Sequence, residues 1–466
     1  MKKITKVLCG ILGAGLLLAG CGTVSNIKNT SAEIVYNGTA ATMVDGYLYY
    51  GNAFEANVSD FSNMTDYKDS AKLSYLARLN TNIELAAKNE KYSPKNVAQV
   101  SKEVVGQAQS FMFALGDYIY YTAPKTEQEK NDAGKLEYDF DSAKLFRSKL
   151  NGDGKKSLYT TTAKISNIEV LKTGNKYYIV LLEDGNLVKF ELGRSVKKTV
   201  IAKDVKSVGM PKTYEKSKDQ STLDWNGELI YTKAIKNENT TDITGTDVYK
   251  VALAGGEADR IGHVLNKTVT IVGRERDEVF YTKDSITYKF DANDDVLGET
   301  EYYAQEISDV NLIATSESVK GYIFTANSKS IYKTAAGKTG VLKFQDNNGA
   351  NIEAKIVAID ERTVYLSTAT GLYKKSLAEV FNGNGGEVTL QAETLVSMTS
   401  ISQERYAYDK NYVYFYAQLE NEEPEEGEEA ETITDTDANY YLYRANVNGG
   451  EYELLGLTKT AKRHSK

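Results

Sequence analysis

Apolar and polar positions alternate along most of this chain in short runs of strand length, each closed by a Gly, Asn or Asp turn signal. The clearest run is LGDYIYYTA at Leu115, where Tyr118 and Tyr120 point to one face of a strand and Ile119 and Tyr121 to the other. Related runs are VDGYLYYGN at Val44, TGNKYYIVLLEDG at Thr173, WNGELIYTK at Trp225 and RDEVFYTKD at Arg276. VKGYIFTAN at Val319, DERTVYLST at Asp360 and DKNYVYFYA at Asp409 complete a set of eight. Each is followed by a second alternating run, such as YLARLN, LFRSKLNGDG, VYKVALAGGE or YLYRANVNGGE, and often by a third, as in KKSLYTT, KKTVIAK and EYELLGL. With a short strand before each tyrosine core, as in SNIEVLKTG, every unit holds about four strands.

Units of four strands recurring every 40 to 60 residues or so predict propeller blades. The expected fold is all-β, a single β-propeller of about eight (seven to eight) four-stranded blades spanning residues 33–458. Because blade sheets pack face to face, a central strand is covered on both sides, which explains why the tyrosine cores need not alternate. Tyrosine supplies apolar area and a hydroxyl that can find a partner at the sheet edge. The tyrosines are therefore read as core rather than as a ligand-stacking platform.

Two stretches break the rhythm. Residues 81–109 are expected to be partly helical. Leu419–Asp437 carries ten carboxylates and no basic residue, which predicts a long solvated loop; the functional alternative is a loop that binds cations or a basic partner.

Composition narrows the chemistry. The 466 residues include 34 Tyr against 13 Phe and one Trp, and the formal charge is −8, which argues against a phosphate-tracking nucleic-acid binder. Loss of residues 1–20, with Lys2, Lys3 and Lys6, would make the remainder still more acidic. Only Cys9 and Cys21 are present, so neither a disulfide framework nor a cysteine metal cluster can exist beyond them. Any Ser-His-Asp or Cys-His chemistry would have to pass through His263 or His464, and His263 is read as a hydrogen-bonded core or edge histidine.

Asp291–Asp295 has alternating oxygen donors but lacks the glycine and the final glutamate of a calcium loop, and reads as a hairpin turn, as does Asn151–Gly154. No Gly-x-Ser-x-Gly, His-Glu-x-x-His or phosphate-binding glycine loop occurs. No catalytic residue, metal ligand or cofactor is assigned, and a carboxylate pair of glycosidase type would be visible only in the geometry.

The N-terminus, MKKITKVLCGILGAGLLLAGCGTVSN, has a basic segment, a broken apolar run and Leu18-Ala19-Gly20-Cys21, the anatomy of a secretory signal. The Leu-Ala-Gly-Cys end resembles the lipobox of bacterial lipoproteins. That resemblance implies a signal peptide over 1–20, cleavage between Gly20 and Cys21, lipid attachment at Cys21, a tether over 21–32 and an extracytoplasmic, membrane-anchored location. Residues 459–466 form a basic tail.

The repeats, best seen at 115–154 and 440–450, resemble those of bacterial surface lipoproteins of unknown function, whose Asp-Gly-Tyr-Ile-Tyr-Tyr and Leu-Tyr-Arg motifs are treated as propellers of the low-density-lipoprotein-receptor type. The resemblance spans roughly 42–457 and implies no activity. The expected role is a non-catalytic scaffold or protein-binding propeller; the alternative is a surface glycan-binding protein or glycan-active enzyme using carboxylates in the propeller mouth. The expected partners are the membrane, through the lipid anchor, and a protein or envelope glycan.

Overall fold

The computed structural model describes residues 34–35, 41–44, 46–52, 74–80, 97–105, 111–130, 136–160, 165–193, 196–211, 225–237, 241–316, 319–326, 329–334, 336–360, 363–377, 385–398, 401–408, 411–418, 440–450 and 452–454. These residues build eight successive sheets, each made of neighbouring antiparallel strands. In sheet 1 they are Ala41–Val44, Tyr47–Asn52, Ser74–Asn80 and Val97–Val105, and in sheet 2 Met112–Leu115, Tyr118–Lys130, Leu136–Lys149 and Lys156–Thr160. Sheets 3 to 8 repeat the plan over 165–202, 205–265, 270–303, 309–345, 355–397 and 401–454.

The eight tyrosine-type cores are the second strands, and the alternating runs after them are the third. Within the segment expected to be partly helical, Val97–Val105 is the outer strand of sheet 1, and the rest of that segment lies outside the described residues. Its sequence, VAQVSKEVV, has valines at both ends, and pairing with Ser74–Asn80 satisfies its backbone.

First strands of several neighbouring sheets, such as Val205–Gly209 with Thr270–Glu275 and Lys355–Asp360 with Ile401–Tyr408, approach within 8 Å, so the first strands converge on the axis while the fourth strands lie at the rim. The apolar core is divided accordingly. There are eight hydrophobic clusters among the described residues, and each lies between two consecutive sheets. Ile119 and Tyr121 enter the cluster shared with sheet 1, while Tyr120 enters the one shared with sheet 3, as strand alternation requires. The last cluster joins Ala41, Leu48 and Tyr50 of sheet 1 to Tyr414, Tyr416 and Leu442 of sheet 8. The ring is therefore closed by side-chain packing, and sheet 8 is built wholly from the C-terminal part of the chain.

Two strands depart from the simple plan. Val388–Gln391, from the connection between the third and fourth strands of sheet 7, pairs in parallel with Thr339–Gln345 at the rim of sheet 6. Ile34–Val35 adds to the axial edge of sheet 2, beside Met112–Leu115.

Candidate functional site

Antiparallel order puts the connections of each sheet at two opposite ends of the ring. One end carries the turns between first and second strands and between third and fourth; the other carries the second-to-third hairpins and the crossings between sheets. The two ends are built differently.

The first end is stitched by buried cations. Every third strand carries a Lys or Arg opposite the middle of its second strand: Arg78 faces Tyr49, Arg147 faces Tyr120, Lys189 faces Val180 and Lys250 faces Ile230. The same register holds for Lys289, Lys333, Lys374 and Arg444 in sheets 5 to 8. Five of them reach into the next sheet and donate to a carbonyl just beyond its third strand. Arg78 Nη1 meets Leu150 O at 3.0 Å, Arg147 Nη1 meets Gly193 O at 2.9 Å and Lys250 Nζ meets Asp294 O at 3.2 Å. Lys189 donates to Leu253 O, and Lys374 Nζ meets Val447 O at 2.7 Å.

The remaining three turn elsewhere: Lys289 to Glu278 of its own sheet, Lys333 back to Tyr302 O of sheet 5, and Arg444 to Glu453. Burial pulls the Lys189 ammonium below the usual lysine range, whereas the carboxylate of Asp295, 2.8 Å away, raises Lys250. A buried charge tied to a carbonyl is costly to lose, because both partners would be left without compensation.

At the junction of sheets 4 and 5 the same end holds a denser network. The Arg274 side chain is fully buried, donating to Asn226 Oδ1 at 2.9 Å, to Arg276 O at 2.6 Å and to Glu228 O, and lying 3.6 Å from Asp277. Its guanidinium sits 5.1 Å from the ring centroid of Trp225, whose Nε1 donates to Lys172 O at 2.9 Å. Burial pulls the Arg274 guanidinium down to about 10, leaving it a cation at neutral pH. The sole tryptophan is thus a joint between sheets 3, 4 and 5 rather than an exposed sugar platform.

The opposite end varies in length. Its second-to-third hairpins include the two-residue turns Asp184–Gly185 and Asp284–Ser285, whose positive φ values suit tight hairpins. Around the junction of sheets 8, 1 and 2 they are far longer. Residues 419–439 join Gln418 to Tyr440, residues 53–73 join Asn52 to Ser74, and sheet 2 extends its hairpin to Lys130 and Leu136. The acidic stretch 419–437 lies outside the described residues, but its flanking strands place its start and return at this end. Long connections on a rigid frame are where binding surfaces are usually built.

Gly20, Cys21, the tether 21–32 and His464 also lie outside the described residues. His263 is at the sheet 4 rim, half exposed, with Nδ1 2.6 Å from Asp247 Oδ1; Arg260 lies 3.6 Å from the same carboxylate oxygen. That is an edge histidine held by an aspartate. Asp291–Asp295 is a hairpin turn, in which Asn293 N donates to Asp291 Oδ1 at 2.9 Å and Asp295 pairs with Lys250. Asn151–Gly154 is likewise a turn, with Asp153 N bonded to Asn151 Oδ1 at 3.0 Å. Among the described residues no group of three or more His, Cys, Asp or Glu is placed to hold a metal ion, and no helix is long and apolar enough to cross a membrane.

Sequence reasoning missed the cation stitches. The signal was present, since the Lys or Arg recurs in ARL, FRS, VKF, YKV, YKF, YKT, YKK and YRA, but alternation alone assigned these positions to a half-exposed face.

These features define a β-propeller of four-stranded blades. No family model matches the chain, and no curated protein matches it. Solved structures that it resembles include an uncharacterized protein of Listeria monocytogenes EGD-e, with 11% identity, a TM-score of 0.38, and coverage of 78% of this chain and 96% of that one. The β-propeller domain of the Trilobed protease from Pyrococcus furiosus, described as having an open velcro topology, shows 9% identity, a TM-score of 0.38, and coverage of 76% and 97%. A puromycin-hydrolyzing peptidase of Mycobacterium tuberculosis shows 10% identity, a TM-score of 0.25, and coverage of 76% and 54%.

Proposed function

We propose that this chain is an extracytoplasmic lipoprotein, anchored through lipid on Cys21, whose propeller acts as a non-catalytic scaffold that binds a protein or envelope partner. The observation that carries the binding role is the contrast between the two ends: one is stitched by buried cations, and the other bears the longest hairpins together, around sheets 8, 1 and 2. A rigid ring with adaptable connections at one end presents a surface without spending binding energy on ordering its frame. The anchor rests on the resemblance of Leu18-Ala19-Gly20-Cys21 to a lipobox, and the repeat motifs support kinship with tyrosine-rich surface lipoprotein propellers.

The test is in-cell crosslinking of the full chain and of a Cys21→Ala variant, followed by mass spectrometry. A partner enriched with the natural chain alone, crosslinked to the end with the long hairpins, is the expected result. Crosslinks scattered evenly over the ring, or a membrane fraction unchanged by Cys21→Ala, would overturn it. A response to envelope or dietary glycans in place of a protein partner would assign the same surface to carbohydrate.

A further inference from the structure

Ile34–Val35 shows toward which end of the ring the N-terminal side of the described chain points. The pair runs antiparallel to Met112–Leu115, with Ile34 opposite Leu115 and Val35 opposite Ala114. Leu115 is the last residue of its strand, next to the Gly116–Asp117 turn at the stitched end. Ile34 is therefore the residue nearer that end, and the N-terminal side of this strand points toward it. Val35 leads toward the other end, from which Ala41–Val44 returns as the first strand of sheet 1.

We infer that the stitched end faces the lipid surface and that the end with the long hairpins is presented away from it. This rests on the anchor at Cys21 proposed above. Thirteen residue steps lead from the acylated position, Cys21, to Ile34, a reach of about 45 Å when fully extended. Reaching the other face over the rim means crossing four strands at about 4.8 Å spacing and then climbing strands about 20 Å long, about 40 Å in all. That route takes up nearly the whole reach, whereas the direct route from the stitched end leaves most of the tether free.

Charge favours the same orientation. The stretch 419–437, with its ten carboxylates, connects Gln418 to Tyr440 at the far end, and an anionic headgroup surface disfavours bringing that end against it. The partner surface is then held one ring thickness from the bilayer, facing macromolecules that approach from outside.

The experiment uses the full-length acylated protein in phosphatidylcholine–phosphatidylglycerol vesicles that carry a headgroup nitroxide quencher. With Cys9 removed with the signal and Cys21 acylated, an introduced cysteine is the sole free thiol for a dye. Lys155→Cys and Lys338→Cys label exposed turns at the stitched end on opposite sides of the ring; Lys203→Cys and Glu306→Cys label exposed crossings at the other end. The first two dyes are expected to lose most of their emission and the second two to keep most of it. Equal quenching at both ends, or the reverse order, in protein that floats with the vesicles would overturn the orientation while leaving the anchor intact. Failure to float would overturn the anchor, and the orientation with it.

Discussion

Tyr416 donates its hydroxyl to the carbonyl of Gly51 at 2.6 Å, joining residues 365 positions apart. The bond lies inside the cluster that closes sheet 8 on sheet 1, where side-chain packing and this bond, rather than a shared strand, complete the ring among the described residues. Tyr416→Phe keeps the ring's volume and leaves a buried carbonyl short of a donor. The expected cost is about 1 to 3 kcal/mol, read as a lower denaturant midpoint with an unchanged slope.

Tyr49 and Arg78 share one acceptor. The Tyr49 hydroxyl is 2.7 Å and Arg78 Nη1 3.0 Å from Leu150 O, across the junction of sheets 1 and 2. Either single variant, Tyr49→Phe or Arg78→Met, leaves the carbonyl one of these donors; the double variant removes both. The double-mutant cycle should show the double variant losing more than the sum of the singles, by about 0.5 to 1.5 kcal/mol. Strict additivity would mean that the two donors do not act on the same group.

Arg274 is held by several acceptors and the face of Trp225, a geometry that an ammonium cannot reproduce. Arg274→Lys is expected to destabilise the ring strongly, and Arg274→Met by about 3 kcal/mol or more, since Asp277 and the carbonyls lose their cation. Thermal unfolding followed by tryptophan fluorescence reports it directly, because Trp225 is the only tryptophan.

A Cβ added at Gly340 would lie 1.7 Å from Gly386 O and 2.6 Å from the Tyr332 ring. The close approach lets Val341 N donate to Gly386 O at 3.1 Å and fastens the parallel strand from sheet 7 onto sheet 6. Gly340→Ala must push that strand away. Faster amide exchange over 385–391 is expected, with little change in sheets 1 to 4.

Alkaline pH should weaken the fold. Burial, reinforced by neighbouring Tyr416, pushes the Tyr50 phenol far above its usual range; burial does the same to Tyr406, opposed by its hydrogen bond to Ser367. Tyr302 is raised by burial and then by Glu278. The unfolded chain gives up these protons near pH 10 while the folded chain keeps them, so the folded state binds more protons and stability falls as pH rises above about 10. Below that the three contribute no slope. Each should subtract up to about 1.4 kcal/mol per pH unit, and absorbance at the tyrosinate band should lag behind the total tyrosine content until unfolding.

The strands were legible because their information is local. Alternation places Ile119 and Tyr121 on one face and Tyr120 on the other whatever surrounds them, and Asp184–Gly185 and Gly116–Asp117 mark turns through their own backbone preferences. The eight tyrosine cores and their following runs therefore located second and third strands before any contact was known. Val97–Val105 escaped because Val97, Val100 and Val104 recur three and four residues apart, a helical spacing rather than strand alternation; pairing with sheet 1 decides its conformation.

The sequence by itself determined the repeat, the strand type and the scarcity of histidine and cysteine, all properties of single residues or near neighbours. The tertiary structure alone decided that third-strand cations such as Arg78, Arg147, Lys189 and Lys250 are buried, because the carbonyl that receives each belongs to the next sheet, as Arg78 and Leu150 show. It also decided the closure of the ring by Tyr416 on Gly51 and the end toward which the N-terminal side of Ile34–Val35 points. Those relationships join residues far apart in the chain, and the physical reason they stay hidden is that burial and hydrogen-bond partners are set by which surfaces meet, not by which residues are adjacent.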